Sequence, residues 1–368
     1  MTFRNTLPLF LFFSLLTAAP VLAQDKKLSD AETFADVAEY AQQEINKLNA
    51  TGIDDPVEKA RALAGIFLPA SEKLMEVSTN DMEKRTAYSW KLSAFLHQKE
   101  AGIEGAEQRI EALLQEIETH ENPQISNFAD AFRFSQFTQR VYKTLPSRAN
   151  LTALNDELKT WVNNGSLPAS SIAAVGRQIA ERNNHPTEQF VKDFTVFVQS
   201  EDCTLPEEKK KELVVSLQNA LRLSTGRDPK LYGRTLDDKN FEWDKFRNKK
   251  YVLIKFTATW CGPCQQILPE VKEAYEKYHD KGLEVVSVYV WQQEADPVAV
   301  VKESVEDKEI PWTVISEALS KKAGHPEFGP FYVITGVPTI VLVDQTGKII
   351  MTDAYGTRLK TKLAEIFR

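Results

Sequence analysis

Trp260-Cys261-Gly262-Pro263-Cys264 directly follows the apolar run Tyr251-Val252-Leu253-Ile254-Lys255-Phe256 and directly precedes a helical pattern over 265–280. A strand that delivers a Cys-x-x-Cys pair to the first turn of a helix sets the first sulfur beside unpaired backbone N–H groups and the positive end of the helix dipole. A thiolate is favoured there, and the thiolate is the species that attacks a disulfide. Cys261 is therefore the expected nucleophile. Cys264, one turn on, is the thiol expected to resolve a mixed disulfide. Such a pair also reads as half of a zinc site, but structural zinc takes four ligands. The remaining cysteine is Cys203, and His97, His120, His185, His279 and His325 include no pair at His-x-x-x-His spacing. No metal is expected, and no cofactor beyond a redox-active Cys261–Cys264 disulfide.

Two features downstream extend the pattern. Pro269 falls inside the helix, where it removes an internal hydrogen bond and kinks the axis. Gly336-Val337-Pro338-Thr339 leads into the apolar strand Ile340-Val341-Leu342-Val343. With Cys-Gly-Pro-Cys, the helix proline and Val-Pro-Thr before a strand, the chain resembles thioredoxin. The resemblance implies an α/β fold, a central mixed sheet flanked by helices, in which the proline at 338 is cis and faces the two sulfurs. It also implies that Trp260, Gly262, Pro263, Val337 and Pro338 line the substrate site, the Val337 backbone pairing strand to strand with an extended substrate segment.

Pro338 lies 74 residues after Cys264, and a helix-strand pair over 297–315 occupies much of that interval. This is similar to the TlpA/ResA branch of exported thioredoxin-like proteins, which carry an added βα element in mid-fold. The resemblance covers 231–368 and has departures. Six residues before the first cysteine, where thioredoxins place a buried Asp that assists proton transfer, stands Lys255. It reads either as a lysine under the site, favouring thiolate while protonated, or as an alternating strand residue facing solvent. ResA-like relatives carry a carboxylate after the central strand as proton acceptor. Here that place reads Gln292-Gln293-Glu294, so Lys255 and Glu294 are the candidates for proton transfer. Thr257 stands where many relatives carry Trp.

The net charge of -7 argues against nucleic acid or an anionic membrane as partner, since neither attracts an acidic surface. A hydrophobic fraction of 42% and 368 residues leave room for two globular domains. Residues 1–23 read as an export signal: Arg4, an apolar stretch over 7–16, and Val21-Leu22-Ala23 before Gln24. An uncleaved anchor is the alternative; after removal no membrane insertion is expected, and a bacterial periplasm fits best. Cys203, in Glu201-Asp202-Cys203-Thr204, has acidic neighbours that raise a thiol pKa, and reads as a structural thiol.

From 28 to 223 the apolar spacing is helical throughout. Phe34, Val37, Ala38, Ala41, Ile45 and Leu48 form one stripe, and Asp55-Pro56 opens the next helix. Further helices are predicted over 81–100, 105–120, 125–143, 151–163, 169–182, 186–199 and 206–223. Together they make an all-α domain over 24–225, a bundle or short solenoid with no recurring 34-residue repeat. Its aromatic clusters, Phe128 to Tyr142 and Phe190 to Phe197, read as core. Its histidines carry no functional reading. Residues 226–233, with two glycines and a proline, are the expected linker, and 234–368 the thioredoxin-like domain. There strands are expected near 234–236, 251–256, 283–290, 312–315, 339–343 and 348–351, with a closing helix over 357–367.

The functional reading is an exported thiol-disulfide oxidoreductase that takes a protein thiol or disulfide substrate and an upstream electron-donor protein. Gly262-Pro263 matches reducing thioredoxins and favours the reducing direction. The alternative is a helical interaction module with a redox-sensing or docking thioredoxin-like appendage. A peroxide reductase is disfavoured, because no Pro-x-x-x-Thr-x-x-Cys arrangement surrounds Cys261.

Overall fold

The computed structural model describes residues 27–247, 250–292 and 294–368, so the expected export signal lies outside the described residues. In chain order the helices are α1 (Phe34–Ala50), α2 (Pro56–Val77), α3 (Asp81–Glu100), α4 (Ala106–Glu118), α5 (Pro123–Lys143), α6 (Arg148–Asn164), α7 (Ala169–Arg182), α8 (Thr187–Gln199) and α9 (Glu207–Ala220). There follow β1 (Arg234–Thr235), β2 (Tyr251–Thr257), α10 (Gly262–Tyr278), β3 (Leu283–Tyr289), α11 (Pro297–Asp307) and β4 (Thr313–Ser316). The chain ends with α12 (Glu317–Lys322), α13 (Phe328–Tyr332), β5 (Thr339–Val343), β6 (Ile349–Thr352) and α14 (Gly356–Ile366). Among the described residues no helix is long and apolar enough to cross a membrane.

The contacts divide the chain into two compact units after Gln136, within α5. In the first unit the first two helix starts carry side-chain caps. Thr33 and Asp36 form a capping box ahead of α1, and the Asp55 carboxylate accepts the N–H groups of Val57 and Glu58 with Pro56 in the first turn. Val37 and Ala41 pack with Ala70, Leu74 and Ala87, and Leu92, Leu113 and Ile117 form a second cluster with Ile125 and Ala129.

The second unit holds a mixed sheet, six-stranded among the described residues, in the order β1-β4-β3-β2-β5-β6. β2, β3 and β4 are parallel, β5 runs antiparallel to β2, and β6 and β1 pair antiparallel at the two margins. A strand covered on both faces reads as a continuous apolar run, as β2 and β3 do. Val252, Ile254 and Phe256 point to one core with Leu223, Phe241, Phe328 and Tyr332; Leu253 points to the other, with Leu268 and Val271 of α10 and Leu359 and Leu363 of α14. The helix-strand pair α11–β4 lies beside β3, where the added βα element was expected. The helix α13 escapes the sequence pattern because Pro326, Gly329 and Pro330 interrupt it.

Helices α7 to α9 belong to this same unit. Asn219 donates to Pro330 O at 3.3 Å, the Arg222 guanidinium lies 3.9 Å from the Phe331 ring centre, and α7 supports β6 through Glu181. The stretch read as a linker is fastened to the sheet: Gly226 N donates to Ile349 O and Ile349 N to Arg227 O, both at 2.8 Å. Leu231 is buried in the core of the sheet.

Gly233 closes that stretch with φ at +128°, and a Cβ built there would lie 2.7 Å from Ile315 Cγ2 and 2.8 Å from Ser320 Oγ. Both the backbone conformation and the space exclude a side chain. Gly233→Ala is expected to destabilise the protein by about 2–3 kcal/mol, read as a lowered urea midpoint at unchanged slope.

Candidate active site

The N-terminus of α10 positions the sulfurs. Cys261 is the N-cap, with φ -81° and ψ 99°, and its Sγ accepts the Cys264 N–H at 3.1 Å. Pro263 sits in the first turn, where a missing N–H costs nothing. One turn of helix brings the Cα atoms of Cys261 and Cys264 to 5.2 Å, and the two are joined as a disulfide.

The β2–β5 register brings the second part of the site from 76 residues away. Phe256 lies opposite Thr339, so the turn before β5 meets the turn after β2. The Val337–Pro338 bond is cis, and Val337 O lies 3.5 Å from Cys261 Sγ. In the reduced protein that carbonyl is placed to accept from the Cys261 thiol. Thr339 Oγ1 donates to Gly336 O at 2.7 Å and holds the turn.

Cys261 is 3% exposed and Cys264 1%, packed with Ala258 and Val337. Around them the rim is open: Trp260 is 40% exposed, Gly262 is exposed, and Pro263, Val337 and Pro338 are half-buried. The Trp260 indole is fixed by a 3.0 Å hydrogen bond from Nε1 to Trp291 O. The five residues read as a substrate rim thus lie about the outer sulfur.

Lys255 is buried at 3% exposure, which overturns the solvent-facing reading. It shares the face of Leu253, the side covered by α10, because alternate strand residues share a face. Its Nζ donates to Cys264 O at 3.4 Å, and among the described residues no second acceptor serves the ammonium's three N–H donors. Burial, with a smaller push from the Lys308 charge, brings its pKa down to about 8. Glu294 sits further out: its Oε1 and Gln292 Oε1 share the Thr259 hydroxyl, at 3.2 and 2.6 Å. The nearer Gln292 oxygen takes the larger share of that one proton, and Glu294 Oε2 is buried without a hydrogen-bond partner. Among the two proton-transfer candidates, Lys255 meets a cysteine and Glu294 meets the residue two before one.

Other supporting residues carry no signal in the sequence. Glu317 accepts Trp291 N at 2.9 Å and Phe328 N at 3.0 Å, tying the segment after β3 to α13. Ser287, opposite Lys255 in the sheet, accepts the Trp312 indole N–H at 2.8 Å. Cys203 is buried and unpaired. No group of three or more His, Cys, Asp or Glu side chains that could hold a metal occurs among the described residues.

Sheet order, sulfur pair at a helix N-terminus and facing cis-proline turn define a thioredoxin-fold domain with a redox-active disulfide. The Redoxin family profile matches residues 220–362. The thiol-disulfide oxidoreductase ResA of Bacillus thuringiensis subsp. konkukian is 31% identical over 134 residues, 36% of this chain and 70% of that protein. A thioredoxin of Acidithiobacillus ferridurans is 28% identical over 117 residues, 32% of this chain and 77% of that one. Among solved structures, the thioredoxin domain of a thiol-disulfide oxidoreductase from Bacteroides vulgatus is 25% identical and covers 40% of this chain and 99% of its own, with a TM-score of 0.35. The chain belongs to the ResA family of thiol-disulfide oxidoreductases.

The depressed pKa of Lys255 is linked to stability. An unfolded lysine keeps its proton up to about 10.5 and the folded one up to about 8, so between these values the unfolded chain binds more protons and stability rises with pH. Below about 8 the buried charge costs roughly 3 kcal/mol, by the gap between the two values. Lys255→Met is expected to stabilise the oxidised protein at pH 7 by up to that amount and to remove the rise between pH 8 and 10.5. Denaturant unfolding at pH 7 and 9.5 measures both.

Proposed function

We propose that the chain is an exported enzyme that reduces disulfides in protein substrates, working in a bacterial periplasm after removal of residues 1–23. The observation that carries this reading is the placement of Cys261 Sγ, capping α10 and touching Val337 O at the edge of an open rim. In the reduced state the Cys261 thiolate attacks one sulfur of a substrate disulfide; that S–S bond breaks, and the departing substrate thiolate takes a proton. Cys264 then gives up its proton and attacks Cys261 Sγ. The second substrate thiolate leaves, the Cys261–Cys264 disulfide forms, and two electrons have passed to the substrate. An upstream donor protein returns the dithiol by the reverse exchange.

Trp260, Gly262, Pro263, Val337 and Pro338 receive the substrate, an extended segment pairing with the backbone of Val337. Lys255 is the proton acceptor for Cys264. In its neutral form it takes the thiol proton, and the ammonium so formed stabilises the thiolate of the attacking sulfur. Glu294 is a second, outer acceptor that reaches the site through Thr259. Gly262-Pro263 supports the reducing direction, which the protonated lysine opposes by stabilising the reduced, ionised dithiol.

Cys261→Ser is expected to abolish insulin reduction, and Cys264→Ser to accumulate a mixed disulfide that a thiol reagent releases. Insulin reduction undiminished without the Cys261 sulfur would leave the helical region as the active part. The couple's potential is expected below the roughly −180 mV of disulfide isomerases; a value near about −120 mV would reverse the direction. Release of the mixed disulfide is expected to quicken as pH rises through about 8, and stopped-flow Trp260 fluorescence on Lys255→Met should show that inflection gone.

A further inference from the structure

The helix α7 is hydrogen-bonded to β6, the strand paired with β5, which follows the substrate turn. Glu181 Oε2 accepts the Thr352 hydroxyl of β6 at 2.8 Å, and Glu181 Oε1 accepts Thr225 N at 3.1 Å. Arg177, buried one turn earlier, donates to Ala220 O at 3.3 Å. These side chains and Gln178 enclose a cavity of about 20 Å³ whose opposite wall is Thr339, Ile340 and Val341 of β5. Thr352 lies opposite Val341 in the sheet, so the hydroxyl that Glu181 holds belongs to the strand paired with β5. Thr339 in turn fixes Gly336 O, and Val337 between them touches Cys261. Burial holds the carboxyls of Glu181 and Asp353 above the usual carboxylate range, a rise that Arg177 offsets only in part. The cluster is therefore a built polar contact rather than a chance surface pairing.

Resting on the reading of Val337 as the substrate-pairing backbone, we propose that Glu181 of α7, acting through Thr352, is a positioning residue for the substrate groove. The helical region before the Cys-x-x-Cys domain thus takes part in recognition of a polypeptide disulfide, by holding the Gly336–Thr339 turn at the height an extended chain requires. The sulfurs themselves are fixed by α10 and do not depend on α7. A small disulfide, which needs the sulfurs and not the groove, is insensitive to the cluster.

The test compares the full chain with Thr352→Val, Thr352→Ser and Glu181→Gln, using insulin and hydroxyethyl disulfide as substrates. Thr352→Val and Glu181→Gln are expected to raise KM for insulin about five- to tenfold, with kcat less affected, since each loses one or two oriented hydrogen bonds. Reaction with hydroxyethyl disulfide changes by no more than about twofold. Thr352→Ser, which keeps the hydroxyl, restores the insulin KM. The proposal is overturned if the insulin KM of Thr352→Val is unchanged, or if both substrates slow alike, as general loosening of the fold would produce. Thr352→Val preserves shape and burial, so it remains informative if Glu181→Gln fails to fold. A wild-type protein that reduces hydroxyethyl disulfide but not insulin would instead sink the reading of Val337 on which this rests.

Discussion

The register between β2 and β5 is the constraint from which the site follows. Neither the helix N-terminus nor the proline turn is a redox site alone; opposition of Phe256 and Thr339 makes them one. A slip of one residue would turn every side chain of β5 to the other face and carry Val337 away from Cys261. The apolar residues guard against it. Val341 and Val343 are committed to one core, Ile340 and Leu342 to the other, and both faces are covered. The precision of a polar site is thus secured by packing several residues away.

The same covering explains the environment of Lys255. A strand closed in on both faces has no solvent side, so a lysine in it must be buried whichever face it takes. Its face is that of α10, which sets the ammonium below the second cysteine with a single carbonyl to hold it. Most of its low pKa comes from lost hydration rather than from a neighbouring charge. Where an ionised aspartate would take the thiol proton and end neutral, a neutral lysine in the proposed scheme takes it and ends as a cation.

Local chemistry was well legible. The bounds 169–182 and 339–343 read from the sequence are those of α7 and β5, because abrupt changes of periodicity mark them. The sulfur pair announces itself by residue type and spacing, and the cis proline and the added βα element follow from the resemblance that pair and its surroundings carry. What escaped depends on partners distant in the chain. The orientation of Lys255 required knowing that α10 and α14 cover its face. The polar support from Glu317, Ser287 and Glu181 comes from residues whose sequence neighbours give no reason to bury them. Glycine and proline mark 226–233 as a linker in the sequence, and the packing of Leu231 and Tyr232 against the core of the sheet depends on residues distant in the chain.

The exchange between Gly226, Arg227 and Ile349 has a colloidal consequence. β6 is a marginal strand, and such a strand with free N–H and C=O groups is a template on which a second chain can add and polymerise. Here two residues of the same chain already occupy that position on Ile349. The stretch that joins helices to sheet is therefore also a stopper, keeping the molecule from zipping to its neighbours in a crowded compartment.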